Sequence, residues 1–118
     1  MHEPFQKTNL LKVSLFPDPP CLCLHLSGEL DLCSAKELPR DAYSSRPDLT
    51  TVLVDLGELT FCDATGLRAL LDFSRMHEEQ GRSVAIVRAT RSMWRLMRIC
   101  GVTDALATAR PLRTPAPV

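Results

Sequence analysis

Two aspartates that each follow an apolar run have the clearest chemical potential in this sequence. Asp31 ends a Gly-Glu-Leu-Asp run, and Asp63 precedes Ala-Thr-Gly-Leu. Paired carboxylates can carry out acid–base chemistry, and two aspartates that follow strands can lie near one another at the same end of a sheet. No histidine or metal ligand accompanies the pair, so we expect an acidic recognition surface here and not an active site.

The sequence carries none of the short motifs that mark common enzyme or nucleotide sites. Gly-x-Gly-x-x-Gly, the phosphate-loop lysine motif and Gly-x-Ser-x-Gly are absent, and the three histidines stand at unrelated positions. The five cysteines include no Cys-x-x-Cys pair, and we interpret them as small buried side chains in a reducing compartment. We therefore predict no enzyme activity, no cofactor and no metal. A small nucleotide-binding protein or enzyme that uses Asp31 and Asp63 is the alternative from another class.

Length and charge restrict the kind of partner. A chain of 118 residues is long enough for one domain with a core and too short for two. Its 14 basic residues equal its 14 acidic ones, whereas nucleic-acid binders usually carry excess basic charge. No apolar run reaches the roughly 18 residues of a membrane-spanning helix, and the first residues lack the features of a secretory signal. We expect a cytoplasmic protein that neither binds nucleic acid nor inserts into a membrane.

Hydrophobic periodicity predicts the strands that would position the two aspartates. Residues 10–16 and 21–31 alternate between apolar and other side chains, which predicts an antiparallel hairpin with a turn at 17–20. Residues 51–56 are apolar on both faces, which predicts a central strand covered on two sides and followed by a short apolar turn. Residues 83–88 predict a further buried strand.

Three helices are predicted between and after these strands. A Ser-Ala-Lys-Glu sequence has the form of a capping box and predicts a helix over 34–45, although Pro39 conflicts with it. A second helix is predicted over 65–80, with Thr65 as its cap. A third is predicted after Thr90, which can cap it, and its apolar residues follow the spacing of a helix face.

Together these elements predict a single α/β domain over residues 10–109. Its sheet is mixed and four- to five-stranded, with an N-terminal antiparallel hairpin, right-handed parallel crossovers and three main helices. Residues 103–109 would add either a short edge strand or a helical turn. Residues 1–9 are predicted to be a flexible N-terminus, and residues 110–118, which contain three prolines, a flexible tail.

Four features in this order give the sequence its resemblance to a known family. They are Gly-Glu-Leu-Asp after the second strand, Asp-x-Thr-Gly-Leu at the start of the next long helix, the glycine that closes that helix, and the segment from Arg95 to Gly101. Over about residues 11–109 the chain resembles the STAS domain of bacterial anti-sigma factor antagonists of the sporulation and stress type. The resemblance implies a cofactor-free α/β domain that acts by exchanging partners.

The resemblance also implies a particular partner and a switch. Members of this family bind an anti-sigma factor that is also an ATP-dependent serine kinase, and so free a sigma factor to direct transcription. The kinase phosphorylates a serine directly after the aspartate of the motif. The phosphate adds about −1.5 to −2 charges to the docking surface and dissociates the antagonist. In this chain Ala64 occupies the acceptor position, so the implied antagonist cannot be switched by phosphorylation there.

The contact surface that the resemblance implies is centred on the turn before the long helix. Asp63 is expected to shape the turn and carry charge to the partner, and Gly66 to permit close approach. Thr65 has two possible roles: it can be the alternative phosphate acceptor, or it can serve only as the cap of the helix. We expect a monomer or a weak dimer. The residues expected at the contact surface or its margin are Glu29, Asp31, Asp63, Ala64, Thr65, Gly66 and Arg68.

A second binding role stays open at this point. Free-standing STAS domains also resemble accessory subunits of lipid-trafficking ABC transporters, which dock on an ATPase at the inner membrane. The sequence barely separates this role from that of an anti-sigma factor antagonist, and it names neither partner.

Overall fold

One mixed sheet of four strands forms the centre of the protein. The computed structural model describes residues 10–39 and 43–101. The strands are β1 (Leu11–Asp18), β2 (Cys21–Leu30), β3 (Thr51–Cys62) and β4 (Ser83–Ala89), and they lie in that order across the sheet. β1 and β2 are antiparallel, whereas β2 with β3 and β3 with β4 are parallel. The predicted α/β fold with a mixed sheet and an N-terminal hairpin is confirmed.

Two α-helices follow the parallel strands, α1 (Ala64–Glu79) after β3 and α2 (Arg91–Ile99) after β4. The Thr90 side chain accepts a hydrogen bond of 3.2 Å from the Met93 N–H, so Thr90 caps α2 as predicted. Beyond α1 the chain turns at Gly81, whose φ of +89° lies in the region that favours glycine.

The hairpin turn is tighter than predicted. β1 continues through Pro17 and Asp18, which pair with the first residues of β2, so only Pro19 and Pro20 form the turn. β1 lies at the edge of the sheet, where a proline is tolerated because its missing N–H can face away from the neighbouring strand. The predicted turn over 17–20 is therefore wrong for its first two residues.

The core lies on one face of the sheet. Leu67, Leu70 and Phe73 of α1 and Met93 and Met97 of α2 pack there, in one cluster with alternate residues of the strands. Burial of each leucine contributes about 1.5–3 kcal/mol relative to its exposure, so this cluster fixes both helices against the strands. The almost completely buried strand residues are Leu22, Leu24, Leu26, Leu30, Val52, Leu56 and Leu59.

The other face of the sheet is open among the described residues, so the prediction that β3 is covered on two sides is wrong. Leu53 of β3 is only partly buried, and it lies level with Cys23 and Phe16 across the sheet. Phe16 is 49% exposed. The two described helices both contribute to the core cluster on the opposite face, and the apolar residues on this side therefore keep contact with solvent.

The predicted helix over 34–45 is also wrong. Ala35–Glu37 form a short 3₁₀ turn, and Leu38 is already extended, with φ −71° and ψ 132°. Pro39 explains this difference, because a proline disfavours the helical conformation of the residue before it. The described residues therefore contain two α-helices where the sequence predicted three.

β3 is twice as long as predicted. Residues 57–62 continue the strand and pair with the end of β2, up to Cys62 opposite Leu30. Two register shifts interrupt this pairing, which is the local irregularity expected of bulges. β4 pairs with β3 only as far as Leu56. The prediction of an apolar turn here is therefore wrong. Because β3 extends beyond the end of β4, α1 begins beyond the end of β4 as well.

A buried arginine holds the opposite end of the sheet. The Arg82 guanidinium donates hydrogen bonds to the backbone oxygens of Leu49 at 2.8 Å, Tyr43 at 2.6 Å and Arg46 at 3.1 Å. It also lies 2.9 Å from Nδ1 of His77. Because a guanidinium has only donors, Nδ1 accepts and the proton of the neutral imidazole is on Nε2. Arg82 thus joins the loop before β3 to the end of α1.

Three predicted segments lie outside the described residues. They are the N-terminus over 1–9, the edge strand or helical turn over 103–109, and the tail over 110–118. In the described part of the chain, no helix has the length and apolar character needed to cross a membrane.

Candidate partner-binding site

Asp31 and Asp63 lie at the same end of the sheet, directly after the paired residues Leu30 and Cys62. The Asp63 N–H donates to the Leu30 carbonyl at 3.3 Å, which joins the start of α1 to the end of β2. β2 and β3 are parallel, so their carboxyl ends share one edge, where ligands usually approach an α/β sheet. The structure therefore brings the two aspartates into one region, as the sequence predicted.

Asp63 is the N-cap of α1. Its backbone is extended, with φ −103° and ψ −176°, and its Oδ1 accepts a hydrogen bond of 2.8 Å from the Gly66 N–H. The prediction that Thr65 caps this helix is wrong, because α1 begins at Ala64 and Thr65 is its second residue. Aspartate is a strong N-cap, and its negative charge also interacts favourably with the N-terminal end of the helix dipole.

Ala64 and Thr65 form the exposed first turn of α1. Within residues 10–39 and 43–101, the Thr65 hydroxyl has no hydrogen-bond partner. The first N–H groups of a helix have no partner within the helix itself. This turn therefore offers hydrogen-bond donors and a partial positive charge to an approaching group, while Ala64 contributes only a methyl group.

Gly66 is buried behind this turn. A Cβ added at Gly66 would collide with the carbonyl oxygen of Leu30 and would lie 2.9 Å from its carbonyl carbon. The close approach that the sequence suggested toward a partner is thus found within the chain, between α1 and the end of β2. Gly66 positions the exposed turn and does not itself form part of the surface.

Asp31 shapes the loop after β2. Its Oδ1 accepts hydrogen bonds from the backbone N–H groups of Cys33 at 3.0 Å and Ser34 at 3.1 Å. The Ser34 hydroxyl donates to the Glu29 carbonyl at 2.8 Å, so this loop folds back onto the last residues of β2. Glu29 is partly buried, whereas Arg68 is exposed on α1. Neither side chain forms an ion pair with another described residue.

Cys62 lies near both aspartates but is not a reactive thiolate. Burial raises the pKa of its thiol to about 12, and the nearby Asp63, Cys100 and Asp31 act in the same direction. A thiol with this pKa stays protonated near neutral pH, whereas nucleophiles and metal ligands need the thiolate. Within the part of the chain that the structure describes, no group of three or more His, Cys, Asp or Glu side chains could hold a metal ion.

Sequence reasoning missed an apolar groove beside the exposed turn. The groove lies between the last residues of β3 and α2, and Leu59, Phe61, Arg95, Leu96 and Ile99 contribute to its lining. Phe61 is 49% exposed and Ile99 is 73% exposed. The helical spacing assigned Leu96 to the core, so its place at the groove was hidden. The available signal was Ile99, an apolar residue outside the core positions of the predicted helix.

Comparisons with known proteins give the family. The family model described as "Mlab, STAS domain" matches residues 18–112. The unphosphorylated form of SpoIIAA, a Bacillus anti-sigma factor antagonist, matches with a TM-score of 0.65 and 18% identity, over 80% of this chain and 85% of that one. An anti-sigma factor antagonist from Mycobacterium paratuberculosis matches with a TM-score of 0.63 and 16% identity, over 81% of this chain and 82% of that one.

A membrane protein contains a domain of the same fold. The murine Slc26a9 anion transporter matches with a TM-score of 0.68 and 15% identity, over 79% of this chain and 16% of the transporter. The present chain thus spans about a sixth of that protein. At 15–18% identity these three structures show a shared fold and no more. The family model, in contrast, covers most of the sequence, and the chain belongs to the STAS domain family.

Proposed function

We propose that this protein is an anti-sigma factor antagonist. It binds an anti-sigma factor of the ATP-dependent serine kinase type and thereby releases a sigma factor. The observation that carries the proposal is the exposed first turn of α1, where Ala64 and Thr65 are presented by the Asp63 cap and by the packing of Gly66 on Leu30. The sequence motifs resemble those of such antagonists at this same turn, and two antagonists share the fold.

The proposed docking surface combines this turn with the charges around it. Asp31 and Asp63 place two carboxylates beside the turn, with Glu29 and Arg68 at its margin. A kinase that modifies relatives at the first residue of this helix must bring its active site to that position. The partner of the present chain is therefore expected to cover Ala64 and to contact the neighbouring carboxylates.

The same surface lacks the usual switch. Ala64 has no hydroxyl group, so a phosphoryl group cannot be transferred to it and its negative charge cannot arise there. We propose that the chain stays permanently in its binding-competent form. Thr65 is the remaining candidate acceptor on this turn, because its side chain is exposed and its hydroxyl is unpaired among the described residues.

Isothermal titration of the full chain with a purified anti-sigma factor kinase from the same organism tests the docking surface. Asp63→Asn removes one negative charge and keeps a good N-cap, so the fold should be retained. We expect this variant to bind at least about tenfold more weakly, because a charge at the centre of a contact contributes to affinity. Glu79→Gln removes the same charge from the exposed far end of α1 and should leave the affinity unchanged.

Two outcomes count against this surface. One is unchanged affinity of both Asp63→Asn and Ala64→Arg, because the arginine side chain would stand in the middle of the proposed contact. The other is an equal loss of affinity in the Glu79→Gln control, which would indicate a long-range charge effect and not a local contact.

A second candidate function is that of an accessory subunit of a lipid-trafficking ABC transporter, which binds the transporter's ATPase. The observation that favours it is again Ala64, since a permanent subunit needs no phosphorylation switch. Co-purification with a transporter ATPase, together with a gene neighbourhood that encodes the transporter, would select this role. A neighbouring gene for an anti-sigma factor kinase, and binding of its product, would select the antagonist role.

A further inference from the structure

The last part of β3 presents an unpaired strand edge. β4 pairs with β3 only up to Leu56, opposite Ala89, whereas β3 continues to Cys62. Residues 57–62 therefore have β2 on one side and, among the described residues, no strand on the other. The Gly57 N–H already donates to the Asp55 side chain at 3.0 Å, so the open part of the edge begins at Glu58. An open edge presents unpaired N–H and C=O groups that another extended chain can use.

An apolar wall stands beside this edge. α2 begins directly after β4 and contacts β3, and Leu96 and Ile99 of α2 line the groove together with Leu59 and Phe61 of β3. Ile99 is among the most exposed large apolar side chains of the described residues. Exposed apolar side chains grouped in this way mark interaction sites. The groove also lies next to the proposed docking turn, which β3 enters directly.

The α2 side of the groove is positively charged, whereas the end of the groove at Cys62 lies near Asp63 and Asp31. α2 carries Arg91, Arg95 and Arg98 and contains no acidic residue, in a chain whose net charge is zero. Arg95 lines the groove, and Arg98 is exposed close by on the same helix. Neither Arg95 nor Arg98 forms an ion pair with any described residue. Carboxylates on a ligand would complement this charge.

We infer that the groove between residues 57–62 and α2 binds an extended, acidic segment of a partner protein. The backbone of the segment pairs with the free edge of β3, its apolar side chains cover Leu96 and Ile99, and its carboxylates face Arg95 and Arg98. Addition of a strand to an open sheet edge is a common mode of peptide recognition. The inference rests on the proposed function for the identity of the partner, to which the groove would supply a second contact beside the turn of Ala64.

Two fluorescein-labelled heptapeptides test the groove on the full chain. One alternates glutamate with leucine, and the other has lysine in place of each glutamate. We expect the acidic peptide to bind with a Kd on the order of 10–100 μM at low salt, and the basic peptide at least about tenfold more weakly. The double variant Arg95→Glu, Arg98→Glu and the single variant Ile99→Asp should each weaken the acidic peptide at least about tenfold. Arg75→Glu, on the exposed surface of α1, is the matched control and should leave the Kd of the acidic peptide unchanged.

Amide hydrogen exchange gives a structural readout of the same binding. The amides of residues 58–62 that point away from β2 should exchange rapidly in the free chain and slowly with the acidic peptide bound. Slow exchange of these amides in the free chain would show that the chain itself covers the edge, and would overturn the inference. Thermal unfolding of the variants checks that a loss of binding is not a loss of the fold.

Other results would also overturn the inference. They are the absence of acidic-peptide binding below about 1 mM, equal binding of the two peptides, and arginine-dependent binding of phosphatidylserine vesicles in place of the peptide. If the acidic peptide does not bind while an anti-sigma factor binds in a manner that depends on Asp63, the proposed function is retained and the inference about the groove is rejected. If the peptide binds as expected and no anti-sigma factor does, the groove stands and the proposed function does not.

Discussion

Gly66 packs so closely on Leu30 that no side chain fits between the start of α1 and the end of β2. Leu30 is fully buried, so it cannot move away without opening the core. The N–H of Gly66 is also the donor to the Asp63 cap. The glycine of the Asp-x-Thr-Gly motif is therefore a packing residue, and the parts of the motif that a partner can reach are the half-buried Asp63 and the exposed Ala64 and Thr65.

Gly66→Ala should destabilise the protein strongly for its size. Alanine would gain about 1 kcal/mol from helix propensity, but overpacking against a buried backbone typically costs 1–3 kcal/mol or more. We expect a net loss of about 2 kcal/mol in the free energy of unfolding, measured by urea denaturation. Ala64→Ser, two residues earlier on the exposed turn, should stay within about 0.5 kcal/mol. A Gly66→Ala protein as stable as the parent would contradict the close packing.

Removal of the N-cap should distinguish Asp63, the cap in the structure, from Thr65, the cap that the sequence predicted. Asp63→Ala deletes the acceptor for the Gly66 N–H and should lower the free energy of unfolding by about 1 kcal/mol. Thr65→Val removes a hydroxyl that has no partner in the described structure, and should change it by less than about 0.5 kcal/mol. Chemical denaturation measures both. A larger effect at Thr65 than at Asp63 would mean that the threonine caps the helix after all.

Phosphorylation by the cognate kinase should fail in the parent chain. Incubation with the kinase and ATP is expected to give no phosphoprotein by mass spectrometry, because Ala64 lacks an acceptor oxygen. Ala64→Ser should restore modification at that position if the kinase docks as proposed. Label on Thr65 of the parent, which disappears in Thr65→Val, would instead show that the switch has moved by one residue.

Local sequence predicted the turn at Asp63 because the cap, the exposed turn and the glycine are adjacent in the chain. It failed where distant residues decide the structure. Residues 57–62 form a strand because β2 continues alongside them, and no short-range pattern shows how far two parallel strands stay paired. The groove beside this strand exists because β4 ends at Ala89 while β3 continues. The residues that line the groove were therefore interpreted differently from the sequence: those of β3 as a turn, and Leu96 of α2 as a core residue.

The failure over residues 34–45 has a different cause. Both signals are local in the sequence: the capping box favours a helix, and Pro39 disfavours the helical conformation of Leu38. Leu38 is extended in the structure, so the effect of the proline is the stronger one. The Ser34 hydroxyl then became a donor to the Glu29 carbonyl. The buried Arg82 left no local signal either, because its backbone acceptors come from a loop more than thirty residues away.

Replacement of Arg82 should cost more stability than that of any exposed arginine. Arg82 is 6% exposed, and its guanidinium donates to three backbone oxygens of the loop before β3. Arg82→Met leaves the buried Leu49 oxygen and the partly buried Tyr43 and Arg46 oxygens without this donor, and a buried acceptor without a donor costs about 1–3 kcal/mol. We expect a loss of at least about 3 kcal/mol in the free energy of unfolding. Arg75→Met on the exposed surface of α1 is the control, and an equal effect there would refute the special role of Arg82.

His77 should make the protein less stable as the pH falls. Its side chain is 1% exposed, and burial, with a smaller contribution from Arg82, lowers its pKa from 6.5 to about 4. His77 is therefore protonated below about pH 6.5 in the unfolded chain, but only below about pH 4 in the folded chain. The free energy of unfolding is therefore unaffected by protonation of His77 above pH 6.5. It decreases progressively as the pH falls toward 4, by up to about 3 kcal/mol.

Urea denaturation at a series of pH values, compared between the parent and His77→Gln, measures this contribution. The parent should lose more stability than the variant between pH 7 and pH 4. His25→Gln is the matched control, because His25 lies on the open face of the sheet near Glu58 and is only partly buried. The difference from the parent is expected to be larger for His77→Gln than for this control. NMR titration of the His77 ring gives an independent check, and a transition near pH 6.5 would contradict the buried, neutral imidazole that accepts a hydrogen bond from Arg82.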